Sequence, residues 1–199
     1  MTMPGDQAKP DREGAAAILR EYTQNPQLIK HALAVEAAMR HYARIFGEDQ
    51  EWWGLIGLLH DFDYERWPNL PDHPLRGEEI LRQRGYPEDV IRAIKSHAGD
   101  TLGIARERLV EKVLYAVDEL TGMVVAVALV RPTRSIYEVD VAAVKKKMKD
   151  KSFARGVNRE DVYRGARELD VDLDKHIATV IEALKEVAAA LEIEGKAQA

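Results

Sequence analysis

Apolar residues recur at intervals of three and four through much of the chain, which is the spacing of one face of an α-helix. The first clear series predicts a helix that ends near Gly47 and has the apolar positions Leu28, Ala32, Val35, Met39, Tyr42 and Phe46. The next segment, 51–60, is apolar on nearly every side but too short to span a membrane. It therefore predicts a buried central helix.

The same spacing resumes after a proline-rich loop that contains Pro68, Pro71 and Pro74. It predicts further helices over 75–84, 87–98, 109–130, 140–149, 158–169 and 174–192. Pro87 suits a first helical turn, Gly85 and Gly99 are expected to end two of these helices, and Pro132 ends a third. No segment has a strand pattern, and no repeat or linker divides the chain. The pattern predicts one all-α domain over 1–199, with loose ends before about residue 11 and after about residue 194.

Composition limits the class of protein. The 199 residues are 46% hydrophobic and 32% charged, which is typical of one soluble domain with a sizeable core. No run of about 18 apolar residues is present, and residues 1–14 contain prolines and charges where a signal peptide needs an apolar stretch. We therefore expect a cytoplasmic protein without a membrane partner.

Charge and cysteine content limit the chemistry. A formal net charge of -5 argues against a protein that binds nucleic-acid polymers, and the basic run 145–151 is predicted to be a solvated helix face. The chain has no cysteine, which excludes disulfides, thiolate nucleophiles and cysteine-bound metal clusters. Any metal site must use histidine, aspartate and glutamate.

Four polar residues fall where the helical pattern points to the core. His60 and Asp61 end the apolar helix, and adjacent residues about 100° apart on a helix can reach one ion only where the helix ends or bends. His31 lies three residues after Leu28, on the core-facing side of its helix. Asp118 lies within an apolar run, where an isolated carboxylate is costly to bury. Imidazole and carboxylate ligands from three helices suit Mn, Fe, Co, Ni, Zn or Mg.

Two other histidines do not join this group. His41 comes ten residues after His31, which is about 15 Å along a helix and on a different face. His41 and His176 are both expected to be solvated helix residues.

The order His31, His60-Asp61, Asp118 resembles that of the HD-domain metal-dependent phosphohydrolases. The resemblance covers roughly 28–132 and leaves 133–194 as a helical extension. It implies an HD-type helical bundle, metal ligation by these four residues, and hydrolysis of phosphate esters, nucleotides among them.

A second motif extends the resemblance. The segment HPLRGEEIL, 73–81, is similar to the HDIG-type branch, in which two further histidines bind a second metal. His73 and His97 fit those places. No GYP triplet is present, so cleavage of cyclic dinucleotides is not expected.

The resemblance also implies roles in catalysis. One or two divalent ions would activate a water and neutralise the phosphoryl oxygens of a small phosphorylated substrate, with Asp61 as the bridging carboxylate. Asp63 or Lys95 is expected to orient the water or protonate the product. Tyr64, Arg66 and Trp67 follow the metal pair and are expected to form a substrate rim, and Lys151 and Arg155, in a glycine-flanked loop, are expected to bind the phosphate.

Two other functions fit the same ligand order. Myo-inositol oxygenase and its phosphonate-cleaving relative are similar, with histidines and aspartates that bind two irons. A non-catalytic metal-binding sensor domain is the third possibility. The local likeness of HPLRGEEIL to hydrolases favours hydrolysis.

Overall fold

A computed structural model describes residues 10–195, and this part of the chain is all-α, as the pattern predicts. Its helices are α1 Arg12–Tyr22, α2 Pro26–Phe46, α3 Gln50–Leu59, α4 Asp72–Gln83, α5 Glu88–Lys95, α6 Gly99–Leu102, α7 Leu109–Leu129, α8 Val141–Met148, α9 Arg159–Glu168 and α10 Leu173–Lys185. Short 3₁₀ turns cover Ser96–Ala98 and Ile136–Glu138. Within the described range, no helix joins enough length to enough apolarity to cross a bilayer. Most of the two predicted loose ends lies outside the described residues.

Close packing of α2 against α3 fixes the position of the C-terminal end of α3. Gly47, with φ 72°, ends α2, and the Asp49 side chain caps α3 by accepting hydrogen bonds from two backbone amides. A Cβ on Gly57 would lie 2.9 Å from Met39 Cγ and 3.0 Å from Val35 O, so the two helices approach closely here. This contact lies one turn before the end of α3 and fixes where that end points.

Helix α7 runs through the middle of the core. Its apolar residues Val113, Leu114, Val117, Leu120 and Val124 are fully buried against neighbouring helices. It packs on α2, α5, α9 and α10, so polar residues along its length are held within a rigid frame. Asp118 lies near the centre of this helix.

The sequence analysis missed α1 and misplaced a helix end. Helix α1 buries only four residues, two of them alanines, which give a weak apolar signal. Gly99 was expected to end a helix but begins α6 with φ -56°, and Gly103, with φ 67°, provides the end. A Cβ on Gly99 would lie 2.4 Å from Ile104 O, so close backbone approach explains this glycine.

The last helix is also shorter than predicted. It was expected to reach residue 192, but α10 ends at Lys185. The next three amides bond to carbonyls three residues back, which tightens the chain into turns that continue to Glu192, with φ 56°.

The prediction that His176 is solvated is wrong. The side chain is fully buried, its Nε2 donates to Ala116 O at 2.9 Å, and its Nδ1 accepts from the Tyr42 hydroxyl at 2.5 Å. Both ring nitrogens are thus used by a neutral imidazole. Burial lowers the pKa of His176.

This burial predicts a pH-dependent stability. Because the folded pKa lies below the unfolded value of about 6.5, the contribution of His176 is complete above that pH and is lost as the pH falls. We expect a His176→Gln variant to have an unfolding free energy about 1–3 kcal/mol lower than that of the unmodified protein at pH 7.5. As the pH falls to 5, the variant should then lose less stability than the unmodified protein does. Urea denaturation at several pH values measures both effects. All other titrating groups are shared, so parallel pH curves for the two proteins would contradict this role.

Candidate metal centre

Six side chains place donor atoms close together: five of them line one cleft of about 470 Å³, and the sixth, His60, is fully buried beside Asp61 and Asp118. They come from α2, the end of α3, the kinked start of α4, the 3₁₀ turn after α5, and α7. The first triad is His31, His60 and Asp118, and the second triad is Asp61, His73 and His97. In each triad, one donor atom per residue lies within 4.8 Å of the other two. The structure therefore brings together all six residues that were predicted as metal ligands.

The first triad leaves an unpaired nitrogen in a buried position. His31 Nε2 lies 3.1 Å from Asp118 Oδ1, and His60 Nε2 lies 3.4 Å from the same oxygen. His60 Nδ1 donates to Gly57 O at 2.8 Å, which leaves Nε2 as the free nitrogen of a fully buried ring. That Nε2 makes no hydrogen bond. A backbone bond from one ring nitrogen and a free second nitrogen are what a metal-bound histidine requires.

Both imidazoles of the second triad are also held by a hydrogen bond at Nδ1. His73 bonds through Nδ1 to Asp63 Oδ1 at 2.8 Å, and His97 bonds through Nδ1 to Ile94 O at 2.5 Å. The two Nε2 atoms lie 3.0 Å apart and 3.2 and 3.4 Å from Asp61 Oδ1. Ligands on adjacent corners of a metal's coordination sphere, with bonds of about 2.1 Å, are separated by about 3 Å. The donor set therefore fits a divalent ion.

Asp61 belongs to the second triad but also lies close to His60 of the first triad. Its Oδ1 faces His73 and His97, and its Oδ2 lies 3.5 Å from His60 Nε2. Helix α3 ends at Leu59, and the chain turns directly after His60, which allows neighbouring residues to reach the same cleft. One carboxylate thus presents an oxygen to each triad.

The carboxylates hold positive charge in the cleft. Burial alone would lower the pKa of His60, but the charges of Asp61 and Asp118 raise it to about 9. Burial likewise opposes protonation of His73, yet hydrogen bonds to Asp61 and Asp63 raise its pKa to about 10. Burial would raise the pKa of Asp118, but His60 and His31 hold it well below its usual range. The site favours protons on imidazoles or a bound cation.

Asp63 and Lys95 do not lie where a direct catalytic role requires. Asp63 is fully buried behind His73 and accepts hydrogen bonds from His73 Nδ1 and Gly77 N, each at 2.8 Å. It therefore orients His73 and, being fully buried, is not placed to contact a molecule in the cleft. Lys95 pairs with Glu78 at 2.7 Å and is not among the described residues that line the cleft.

The basic residues that were predicted near the substrate are not among the described residues that line the cleft. Arg66 donates to Glu21 O and stacks over the Tyr22 ring, 4.1 Å from its centroid. Lys151 and Arg155 are outside the described lining, because their loop reaches the cleft through Val157. Helical period gives no information on which side of a loop faces inward.

Of the two predicted rim aromatics, only one lines the cleft. Tyr64 meets His73 edge-on, with ring centroids 5.5 Å apart. Trp67 packs against Tyr22. His41 lies elsewhere on α2, half-buried, with Nδ1 2.8 Å from Glu186 Oε1.

The sequence analysis missed three polar residues of the cleft wall: Tyr115, Glu119 and Asp161. The Tyr115 hydroxyl donates to Asp161 Oδ1 at 2.7 Å, which joins α7 to α9. Burial, with the nearby charge of Asp118, raises the pKa of Glu119 to about 7. The only signal was that Tyr115 precedes Asp118 by three residues and so shares its helix face.

We expect Asp118→Asn to lower metal affinity by at least about a hundredfold, roughly 3 kcal/mol, because the amide lacks the charge that offsets a cation in a buried site. Elemental analysis at limiting Mn²⁺ measures the change. An exposed aspartate, changed in Asp174→Asn, provides the control and should retain the metal. Equal metal content in the two variants would exclude Asp118 as a ligand.

The comparisons with known proteins agree with this geometry. The family model described as HD domain matches residues 28–126, a range that contains all six residues of the two triads. The resemblance to the HD-domain family is thereby confirmed. No solved structure matches the chain.

Proposed function

We propose that this chain, which belongs to the HD domain family of metal-dependent hydrolases, hydrolyses phosphate esters of small molecules, nucleotides among the candidates. The observation that carries the proposal is the pair of adjacent His/Asp triads beside an open cleft, with Asp61 of the second triad also 3.5 Å from His60 of the first. Such a pair suits two ions that act on one phosphoryl group.

Each side chain has a defined part in this proposal. His31, His60 and Asp118 would hold one ion, His73 and His97 would hold the other, and Asp61 would bind both. Bound divalent ions lower the pKa of a water and neutralise phosphoryl oxygens. The backbone carbonyls of Gly57 and Ile94, with Asp63, fix the imidazole rings so that each Nε2 faces Asp61 or Asp118.

The cleft wall supports a polar but not a cationic environment for substrate. No lysine or arginine is among its described lining residues, so neutralisation of the phosphate falls to the metal site. The carboxylates of Glu119 and Asp161 can accept hydrogen bonds from hydroxyl or amino groups of the substrate. No side-chain nucleophile is needed.

The test starts with protein purified without chelator and analysed for bound elements. The identified metal is restored, and phosphate release is measured with a panel of mono- and diesters that includes nucleotides. Asp118→Asn reports any contaminating phosphatase. Oxygen uptake with polyols or phosphonates, in place of phosphate release, would favour the di-iron oxygenase. A fully metal-loaded but inert protein would favour a sensor domain.

A further inference from the structure

A second cavity, of about 190 Å³, lies between α2 and α7 beside the metal cleft. His31 and Gly122 line both spaces, so the cavity and the cleft meet at these two residues. Along α7, steps of four, three and four residues lead from Asp118 through Gly122 and Val125 to Leu129. One helix face thus runs from the metal centre into the cavity.

The cavity has both apolar and polar lining residues, and the polar ones are Gln27, Lys30, His31, Thr121, Arg134 and Glu192. Its apolar lining consists of Ala34, Val125, Leu129 and Leu191. Lys30 Nζ on α2 lies 2.7 Å from Glu192 Oε2 in the turns after α10. This ion pair joins α2 to the turns after α10.

Gly122 is not explained by helix packing. Glycine within a helix is less favourable than alanine, so its presence calls for a reason. At Gly57 and Gly165 a Cβ would lie within 3 Å of a neighbouring helix, but at Gly122 the nearest atom, Val157 Cγ2, would be 3.6 Å away. That distance is an ordinary contact. What the glycine keeps free is the space where the cavity meets the cleft.

The cavity volume limits the size of an occupant. An apolar cavity of about 150 Å³ is large enough to bind benzene. The present cavity therefore suits a single ring or a short alkyl chain. A whole nucleoside, with both a sugar and a base, is considerably larger.

We infer that this cavity binds the organic group of the substrate, an apolar single ring or short chain, and that Gly122 determines specificity by leaving the junction open. The inference rests on the proposed function for one point only, the position of the phosphoryl group at the metal centre. It narrows the substrate to small aryl or alkyl phosphates.

The test compares binding of methylphosphonate and phenylphosphonate, which cannot be hydrolysed as esters, to the Mn²⁺-loaded protein by calorimetry. We expect phenylphosphonate to bind about tenfold more tightly or better, because its ring leaves water for the cavity. Gly122→Leu should remove most of this preference. Gly122→Ala, for which there is room, should reduce it and covers the case in which the leucine variant does not fold. Ala17→Leu, on the exposed side of α1 and outside both spaces, should leave the preference unchanged.

The outcomes separate this inference from the proposed function. Equal affinities for the two phosphonates, or failure of phenylphosphonate to bind, would overturn the cavity assignment whether or not phosphate esters are hydrolysed. A preference that neither Gly122 variant changes would also overturn it. A preference that depends on Gly122, in a protein that hydrolyses no ester, would support the cavity and reject hydrolysis.

Discussion

Replacement of Asp61 by alanine should abolish both metal retention and ester hydrolysis while most of the helical circular-dichroism signal remains. Asp61 is the one ligand with an oxygen near each triad, so its loss removes charge from both. The residue follows the end of α3 and its side chain is 23% exposed, so alanine leaves no large apolar cavity. Loss of hydrolysis should exceed about a thousandfold, or roughly 4 kcal/mol of transition-state stabilisation.

A matched surface change separates this effect from a general loss of charge. Asp174 is exposed and pairs only with Lys145 among the described ion pairs, and such a pair contributes roughly 0–1 kcal/mol to stability. Asp174→Ala should therefore keep both metal and activity. Full metal content in Asp61→Ala, measured by elemental analysis after purification without chelator, would refute the position of Asp61 in the metal centre.

The sequence predicted the metal centre better than its surroundings because helix period carries direction. His31 and Asp118 lie on apolar faces of long helices. The structure places His31 Nε2 3.1 Å from Asp118 Oδ1, although the two residues are 87 positions apart in the chain. The end of the apolar helix at residues 59–60 was predicted from the change from apolar to polar residues. His97 lies three residues after Ile94, on the apolar face of the helix predicted over 87–98, whereas the place of His73 was implied only by family resemblance, because a proline-rich loop has no period from which to read direction.

The errors fall where local pattern gives no direction. Asp63 comes two residues after Asp61, yet the turn after α3 places its side chain behind His73. Arg155 was expected near the metal because of its flexible loop, and Val157 of that loop reaches the cleft. Contacts such as Tyr115 with Asp161 join helices that are distant in sequence. The space at Gly122 depends on a missing side chain, which a residue pattern does not show.

The two triads lead us to expect two bound ions per chain. His73 and His97 face Asp61 Oδ1, whereas His31 and His60 face Asp118. If each triad holds one ion, His73→Ala and His97→Ala should each reduce bound metal from about two per chain to about one. Activity should fall by about a hundredfold or more, roughly 3 kcal/mol, because one ion cannot neutralise both sides of the phosphoryl group.

Titration of metal-free protein with Mn²⁺ or Fe²⁺, followed by calorimetry and elemental analysis, counts the ions directly. His41→Ala provides the control, because this half-buried histidine is also on α2 but hydrogen-bonds to Glu186, and its loss should leave the count at two. His31→Ala should remove the other ion, so a double variant with His97→Ala should bind almost none. An endpoint of one ion for the unmodified chain would exclude the two-metal proposal and the di-iron oxygenase together, since both require two occupied triads that share Asp61.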